Sequence, residues 1–218
     1  MRACEFIIEN TIDEMSGSVH GGIRKELKDK GYKYLGGGID KHVFLEPGTG
    51  NAFIVFGYRK GYKEFSPDQK MFADWVRYCE QHSDNPHLPK FSGLESFQFR
   101  GQTYIQSRME RLHEASDKIG QILHFIVDYA GDTGQNYEDA IDDMLDSEEI
   151  SDTVSGAIEK LGGADATAGL INTVREVVQF GMNHGFSIDL HRGNYMQRAD
   201  GTVVVNDPFV VWLGGSNG

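Results

Sequence analysis

The chain has 218 residues, 39% of them apolar and 25% charged, which is enough for one medium domain or two small lobes with a core. Its 21 Lys and Arg stand against 33 Asp and Glu, a net charge of −12; this excludes an electrostatic footprint for nucleic acid and leaves a basic protein partner or plain solubility as the meaning of the excess acid. Cys4 and Cys79 lack metal or redox spacing, no charged-then-apolar leader opens the chain, and no apolar run reaches the roughly 18 residues that span a bilayer, so a reducing cytoplasm and no membrane are expected.

Residues 3 to 30 read as helix, because Phe6, Ile7, Ile12, Met15, Ile23 and Leu27 recur loosely at three and four. Gly17, Gly21 and Gly22 interrupt the pattern, so two short helices are expected, with Gly31 ending the second and Tyr32 and Tyr34 opening a strand. Gly36-Gly37-Gly38 before His42-Val43-Phe44-Leu45 predicts a glycine-rich hairpin. Such a hairpin is either a plain turn or a place where backbone without Cβ atoms can approach a phosphate closely. Pro47-Gly48-Thr49-Gly50-Asn51 then turns the chain into the wholly apolar strand Ala52 to Phe56.

Ser66-Pro67-Asp68 is a helix start with Ser as N-cap and Pro in the first position, followed by Met71, Trp75, Val76 and Cys79 on one face. Asp74 and Glu80 on this helix read as solvated charges. Asn85 to Lys90 forms a loop; Leu94 to Phe99, a turn at Arg100-Gly101-Gln102 and Thr103 to Gln106 form a hairpin; Ser107 to Leu112 read as a connection between lobes. The second half is helical, with core stripes at Ile119, Ile122, Leu123, Ile126 and Val127 and at Leu170, Ile171, Val174, Val177 and Val178. Between them lies the acid-dense segment Glu138 to Asp152, either a solvated helix or insertion, or a docking surface for a basic substrate. Gly162-Gly163-Ala164 breaks the pattern before the last helix.

The stretch richest in chemistry follows. Ile188-Asp189-Leu190-His191-Arg192-Gly193-Asn194 precedes a turn at Asp200-Gly201, the strand Thr202 to Val205, and Asn206-Asp207-Pro208. In phosphoryl transfer an Asp takes the hydroxyl proton, while an Asn shortly after it and an Asp beyond the next strand supply oxygen ligands to magnesium. A surface turn with a solvated aspartate would explain Asp189 and Asn194 alone, but not their combination with Leu-His-x-Gly and the strand-turn-strand context.

Asp189-Leu190-His191-Arg192-Gly193-Asn194 resembles the D-L-H-x-G-N catalytic loop of atypical and small-molecule kinases, including the aminoglycoside phosphotransferase-like group, more than the D-L-K-x-x-N of ordinary protein kinases. It is most similar to the family of early serine/threonine kinases of T-seven-like phages. That family shares a Ser two residues before the catalytic Asp (Ser187 here), a glycine-rich turn after an N-terminal helix (Gly31 to Gly38) and D-P after the last strand (Asp207-Pro208). The resemblance runs from about residue 20 to residue 212.

The resemblance implies an α+β, two-lobed protein-kinase-like fold with a small antiparallel β lobe and a reduced helical lobe: N-terminal helices over 1–30, a nucleotide-binding β lobe over 31–110, and a helical lobe with the catalytic loop over 111–218. It implies ATP and Mg2+ as cofactors. Asp189, His191 and Arg192 would be catalytic, Asn194 and Asp207 would ligate the metal, Gly36, Gly37, Gly38 and Lys41 would surround the phosphates, and backbone at Met109 and Arg111 would meet the adenine. The expected reaction is transfer of the γ-phosphoryl group to a partner or host protein in the cytoplasm. A catalytically impaired, kinase-shaped binding module and a small-molecule phosphotransferase are the alternatives. The chain departs from the pattern at the third strand, where Val55 stands for the usual lysine; Lys41, Arg59 or Lys60 could substitute, and Asp74 or Glu80 would be the acid that orients such a lysine. No activation segment of normal length, A-P-E or later helices follow Asp207, so control by activation-loop phosphorylation is not expected, and a protein substrate would be recognised by helices before the catalytic loop.

Overall fold

Five short runs, Lys33–Gly37 (β1), Lys41–Leu45 (β2), Ala52–Phe56 (β3), Phe91–Phe99 (β4) and Gln102–Met109 (β5), build one sheet of strand order β1-β2-β3-β5-β4, all neighbours antiparallel. The computed structural model describes residues 19–37, 41–57, 65–115, 159 and 164–211. The protein is mixed α+β, with three α-helices and three antiparallel sheets among the described residues. The chain divides into two units: Met1–Ser83 with Pro89–Arg111, and Asp84–Leu88 with Leu112–Gly218.

In the first unit each face of the sheet is covered by a helix. Helix α1, Val19–Asp29, ends where Gly31 takes φ +87° and the amides of Gly31 and Tyr32 satisfy the carbonyls of Lys28 and Leu27, a left-handed cap that glycine adopts without steric cost. Ile23 of this helix joins Phe44, Phe53, Val55 and Tyr104 in the core, with Leu27, Tyr32, Tyr34, Phe97 and Phe99 packed around them. Arg24 holds the helix down, donating to Nδ1 of buried His42 at 3.1 Å while lying over the Tyr34 ring. α1 therefore belongs to the β unit rather than forming a separate N-terminal segment. The first helix expected, before residue 19, lies outside the described residues.

Helix α2, Pro67–Gln81, covers the other face. Its start follows the sequence rule: Ser66 Oγ accepts from the Gln69 amide and the Gln69 side chain accepts from the Ser66 amide, with Pro67 leading the first turn. Gln69 is 1% exposed, and its amide nitrogen donates to the carbonyls of Thr103 and Phe56 at 3.0 and 3.5 Å, tying the helix to two strands at once. The Phe56 ring stacks on Phe72 of α2, and Phe72 meets Phe91 edge-on. Alternation then divides β3, with Phe53 and Val55 facing α1 and Ala52, Ile54 and Phe56 facing α2. All five residues are buried, which is why the strand carries no polar residue.

At the end of β2, Glu46 is buried and accepts from Arg108 Nε at 2.7 Å, Thr49 Oγ1 at 2.8 Å and Tyr32 Oη at 3.4 Å. Burial alone would push this carboxyl up, but the hydrogen bonds from Arg108, Thr49 and Tyr32 and the guanidinium charge outweigh it and hold the carboxyl below its ordinary value. The paired strands β4 and β5 are longer than the pattern suggests, beginning at Phe91 and ending at Met109. Ser107 and Arg108 read as part of a connection, yet each has a structural role in the strand: Ser107 is buried and donates to the Ser92 carbonyl, and Arg108 pairs with Glu46, while Gln106 before them donates to Glu95.

The second unit holds α3 (Ala164–His184), a sheet of β6 (His113–Glu114), β8 (Tyr195–Gln197) and β9 (Val203–Val205), and a two-stranded pair of β7 (Ser187–Ile188) with β10 (Phe209–Val210). The α3 stripe Leu170, Val174, Val177 and Val178 is buried as expected. Asp84–Leu88 is an integral part of this unit. Asn85 exchanges hydrogen bonds with Thr173, His87 Nδ1 lies 2.8 Å from the Val203 carbonyl, the Val205 amide donates to the His87 carbonyl, and Arg198 donates to the carbonyls of Pro86 and Leu88. The stripe at 119–127, the acidic segment 138–152 and Gly162-Gly163 lie outside the described residues. Among those described, no helix is long and apolar enough to cross a membrane.

Two stability measurements check these anchors. Gln69→Leu strands two buried carbonyls and removes half of the capping box, so urea unfolding should show a loss of about 1–3 kcal/mol. Because the Glu46 carboxyl is held low in the folded protein, its stabilisation is complete above the unfolded value of about 4.3 and is lost as pH falls through and below that range. Arg108→Met should therefore cost about 1–2 kcal/mol at pH 7, with the gap to the parent protein narrowing toward pH 3.

Candidate functional site

The site is built at the end of α3. After His184, Gly185 turns the chain, the Phe186 amide donates to the Gly181 carbonyl, and Ser187–Ile188 enters the two-stranded pair with Phe209–Val210. The rings of Phe180, Phe186 and Phe209 pack together with centroids 5.5 to 6.1 Å apart. Gly181 makes this possible: a Cβ there would lie 2.6 Å from Phe209 Cε1 and 2.7 Å from Ile188 Cδ1, so only hydrogen fits.

From this pair the two functional stretches leave side by side. The Asp189 amide donates to the Pro208 carbonyl at 2.7 Å, and the Asn206 amide donates to the Asn194 carbonyl at 2.8 Å, so the residues flanking Asp207 are bonded to Asp189 and Asn194. Between them, His191 caps a short 3-10 turn, Arg192–Asn194, by accepting the Gly193 amide on Nδ1 at 3.0 Å. Leu190 and Tyr195 are buried and anchor the turn from below. Asp189, His191, Asn194 and Asp207 are thus held in one pair of backbone-bonded segments. The side chain of Arg192 lies outside the described residues.

The hydrogen bonds fix what each group can offer. Asn194 is 7% exposed and its Nδ2 donates to the Asp189 carbonyl, which leaves Oδ1 as the side chain's acceptor, a hard oxygen. With Nδ1 of His191 accepting, the neutral ring carries its proton on Nε2, 3.8 Å from Asp189 Oδ2. The Asp189 side chain is 41% exposed, so its carboxylate is open to an incoming hydroxyl. Among the described residues no group of three or more His, Cys, Asp or Glu is arranged for a metal. Asn194 and Asp207 are the two further oxygen-bearing residues of these segments.

In the first unit, Gly36 and Gly37 end β1, Lys41 opens β2, and Gly38 lies outside the described residues. The two described glycines differ in cause. A Cβ on Gly37 would lie 2.1 Å from the Lys41 carbonyl oxygen, so the hairpin itself demands glycine there. A Cβ on Gly36 would meet nothing within 4 Å, but its φ of +158° is a backbone conformation that favours glycine. Met109 is a buried strand residue paired with Ala52 and Phe91, the Glu110 amide donates to the Lys90 carbonyl, and Arg111 is exposed just beyond.

Val55 faces α1, while Ile54 and Phe56 face α2, and all three are apolar. Arg59 and Lys60 lie outside the described residues. On α2 the buried face is Gln69, Met71, Phe72, Ala73, Trp75, Val76 and Cys79, without an acid. Asp74 is paired with Arg77 on the exposed side at 2.8 Å, and Glu80 is exposed. Sequence reasoning missed Gly181 and the Asn85–His87 clamp. A glycine interrupting an apolar helical stripe was the available signal for the first; the second joins residues 88 or more positions apart and left no local trace.

No protein-family model matches the chain, and no curated protein matches it. Gly181→Ala tests the architecture of the site: the added methyl must displace Phe209 or Ile188, and thermal unfolding should report a loss of about 1–3 kcal/mol.

Proposed function

We propose that the protein is an atypical ATP-dependent serine/threonine protein kinase with a reduced, two-lobed kinase-like fold. The observation that carries this is the bonded pair of segments presenting an exposed Asp189 carboxylate, the Asn194 Oδ1 and Asp207. Those are a base and two oxygen ligands in the order and context that phosphoryl transfer uses. Further support comes from a unit whose antiparallel sheet has one helix between its third and fourth strands.

In this reading the oxygen of a Ser or Thr hydroxyl bonds to the γ-phosphorus, the bond from that phosphorus to the β–γ bridging oxygen breaks, and the hydroxyl proton passes to Asp189. The products are phosphoprotein and ADP. Asn194 Oδ1 and the Asp207 carboxylate would hold magnesium, which neutralises charge developing on the phosphate oxygens. His191 offers its Nε2 proton beside Asp189, and Arg192 is the nearby cation in the sequence. The amides at Gly36 and Gly37 would approach the phosphates, and backbone after Met109 toward Arg111 would meet the adenine. A second reading, a kinase-shaped module that binds a partner without catalysis, is favoured by one observation: β3 and the buried face of α2 lack both members of the usual Lys–Glu pair.

Incubation with radiolabelled ATP and magnesium, with a protein lysate as substrate source, separates the two. Label transferred to particular proteins and reduced at least about 100-fold in both Asp189→Ala and Asp207→Ala is expected. Label confined to small molecules would replace the protein substrate with a small one. No transfer by a folded protein that still captures a partner would leave the binding module.

A further inference from the structure

We infer that the outer edge of β4 and the groove between it and α2 bind an extended segment of a partner protein as an added strand, one with an acidic, an apolar and a basic residue at alternate positions. This goes beyond the kinase reading and uses none of its proposed catalytic residues.

The strand edge supplies the first half of the argument. β4 is last in the order β1-β2-β3-β5-β4, and at nine residues it is the longest of the five. Among the described residues only β5 pairs with it. The register shifts between Ser92 and Glu95, where Gly93 takes φ +69°. From Glu95 to Phe99 the ladder is regular, facing Gln106 back to Gln102. A regular edge leaves main-chain donors and acceptors pointing outward, and these are a template for a further strand.

Beside that edge lies a groove of about 560 Å³, a volume typical of binding sites. Ala73 and Ile105, 6% and 3% exposed, form its floor with half-buried Leu94. Its α2 wall is a stripe at helical spacing: Lys70, Asp74, Arg77 and Glu80. Two contacts give the direction of α2 along the strand. Gln69 donates to the carbonyl of Thr103, the partner of Gln98 near the end of β4, while Phe72 meets Phe91 at its start. Lys70 therefore marks the end of the groove nearer Phe99, and Glu80 the end nearer Phe91.

Charge specifies the occupant. Asp74 and Arg77 neutralise each other at 2.8 Å. Lys70 and Glu80 are exposed, with no ion-pair partner among the described residues, and leave a cation at one end and an anion at the other. Glu95, held by Gln106 at 3.0 Å, adds negative charge from the strand. From Lys70 to Glu80 the helix rises about 15 Å. In a strand, residues i and i+4 share a face and stand about 13 Å apart. An added strand would thus set an acid at i against Lys70, an apolar side chain at i+2 over Leu94 and Ile105, and a Lys or Arg at i+4 against Glu80. Every neighbouring pair in this sheet is antiparallel, the more stable pairing per residue, so the acid comes first in the partner's sequence.

Fluorescence anisotropy with a labelled peptide, Ser-Ser-Asp-Thr-Val-Thr-Lys-Ser-Ser, and amide hydrogen exchange of the full chain with and without it test this. The peptide should bind and slow exchange from Glu95 to Phe99. The same peptide with Asp and Lys exchanged should bind about threefold to fivefold more weakly. Of two peptides N-methylated at alternate residues, the one whose blocked amides face β4 should lose about tenfold or more. The double variant Lys70→Glu with Glu80→Lys should reverse the preference between the two charge orders, and a thermal midpoint equal to the parent's shows that its fold is intact. No binding at about 1 mM peptide, no slowed exchange in β4, or an affinity indifferent to charge order and N-methylation would each overturn the inference. So would self-association in sedimentation that Ser96→Lys abolishes, which assigns the edge to a second copy of the chain. None of these outcomes depends on ATP transfer, so the kinase reading stands or falls separately.

Discussion

Two main-chain hydrogen bonds, from the Asp189 amide to the Pro208 carbonyl and from the Asn206 amide to the Asn194 carbonyl, set the geometry on which the candidate site depends. Each joins the loop after α3 to the residues flanking Asp207, so the backbone positions of Asp189, Asn194 and Asp207 are set together. Main-chain bonds fix spacing independently of which side chain occupies each position, and the Asn194 amide adds a third tie across the loop. The loop is stiff because its ends have nowhere else to place their polar groups.

That pair of segments is itself held from two sides within its unit. Beneath it, β9 is buried at all three valines and bonded through Val205 to His87, a residue from the stretch before β4. Beside it, β10 lies against α3 only because Gly181 leaves room for Phe209 and Ile188. A change of one methyl at Gly181 is thus transmitted to the strand end that carries Asp207, since packed interiors pass strain on rather than absorb it. Side chains without chemistry of their own decide where the reactive ones stand.

The first unit shows the same economy in another form. Both faces of β3 are covered by helices, so a charge placed there would be desolvated without a partner. Polar function is pushed to the strand ends and turns: Glu46 with Arg108 at one end of β2, Lys41 at the other. The first is a structural ion pair whose burial is offset by three donors.

The local signals were legible in the chain itself. The capping box at Ser66, the glycine stop at Gly31, the five-residue apolar strand and the Asp189 to Asn194 loop depend on neighbours within a few positions, and short-range sterics and hydrogen bonding settle them. Tertiary structure alone decided the direction in which Val55 faces, because a wholly apolar strand has no alternation to reveal its two sides. It alone extended β5 through Ser107 and Arg108, whose polar side chains find partners 15 and 62 residues away. It alone gave Gly181 and His87 their purpose, because a missing methyl or a carbonyl acceptor gains meaning only from what the folded chain brings against it.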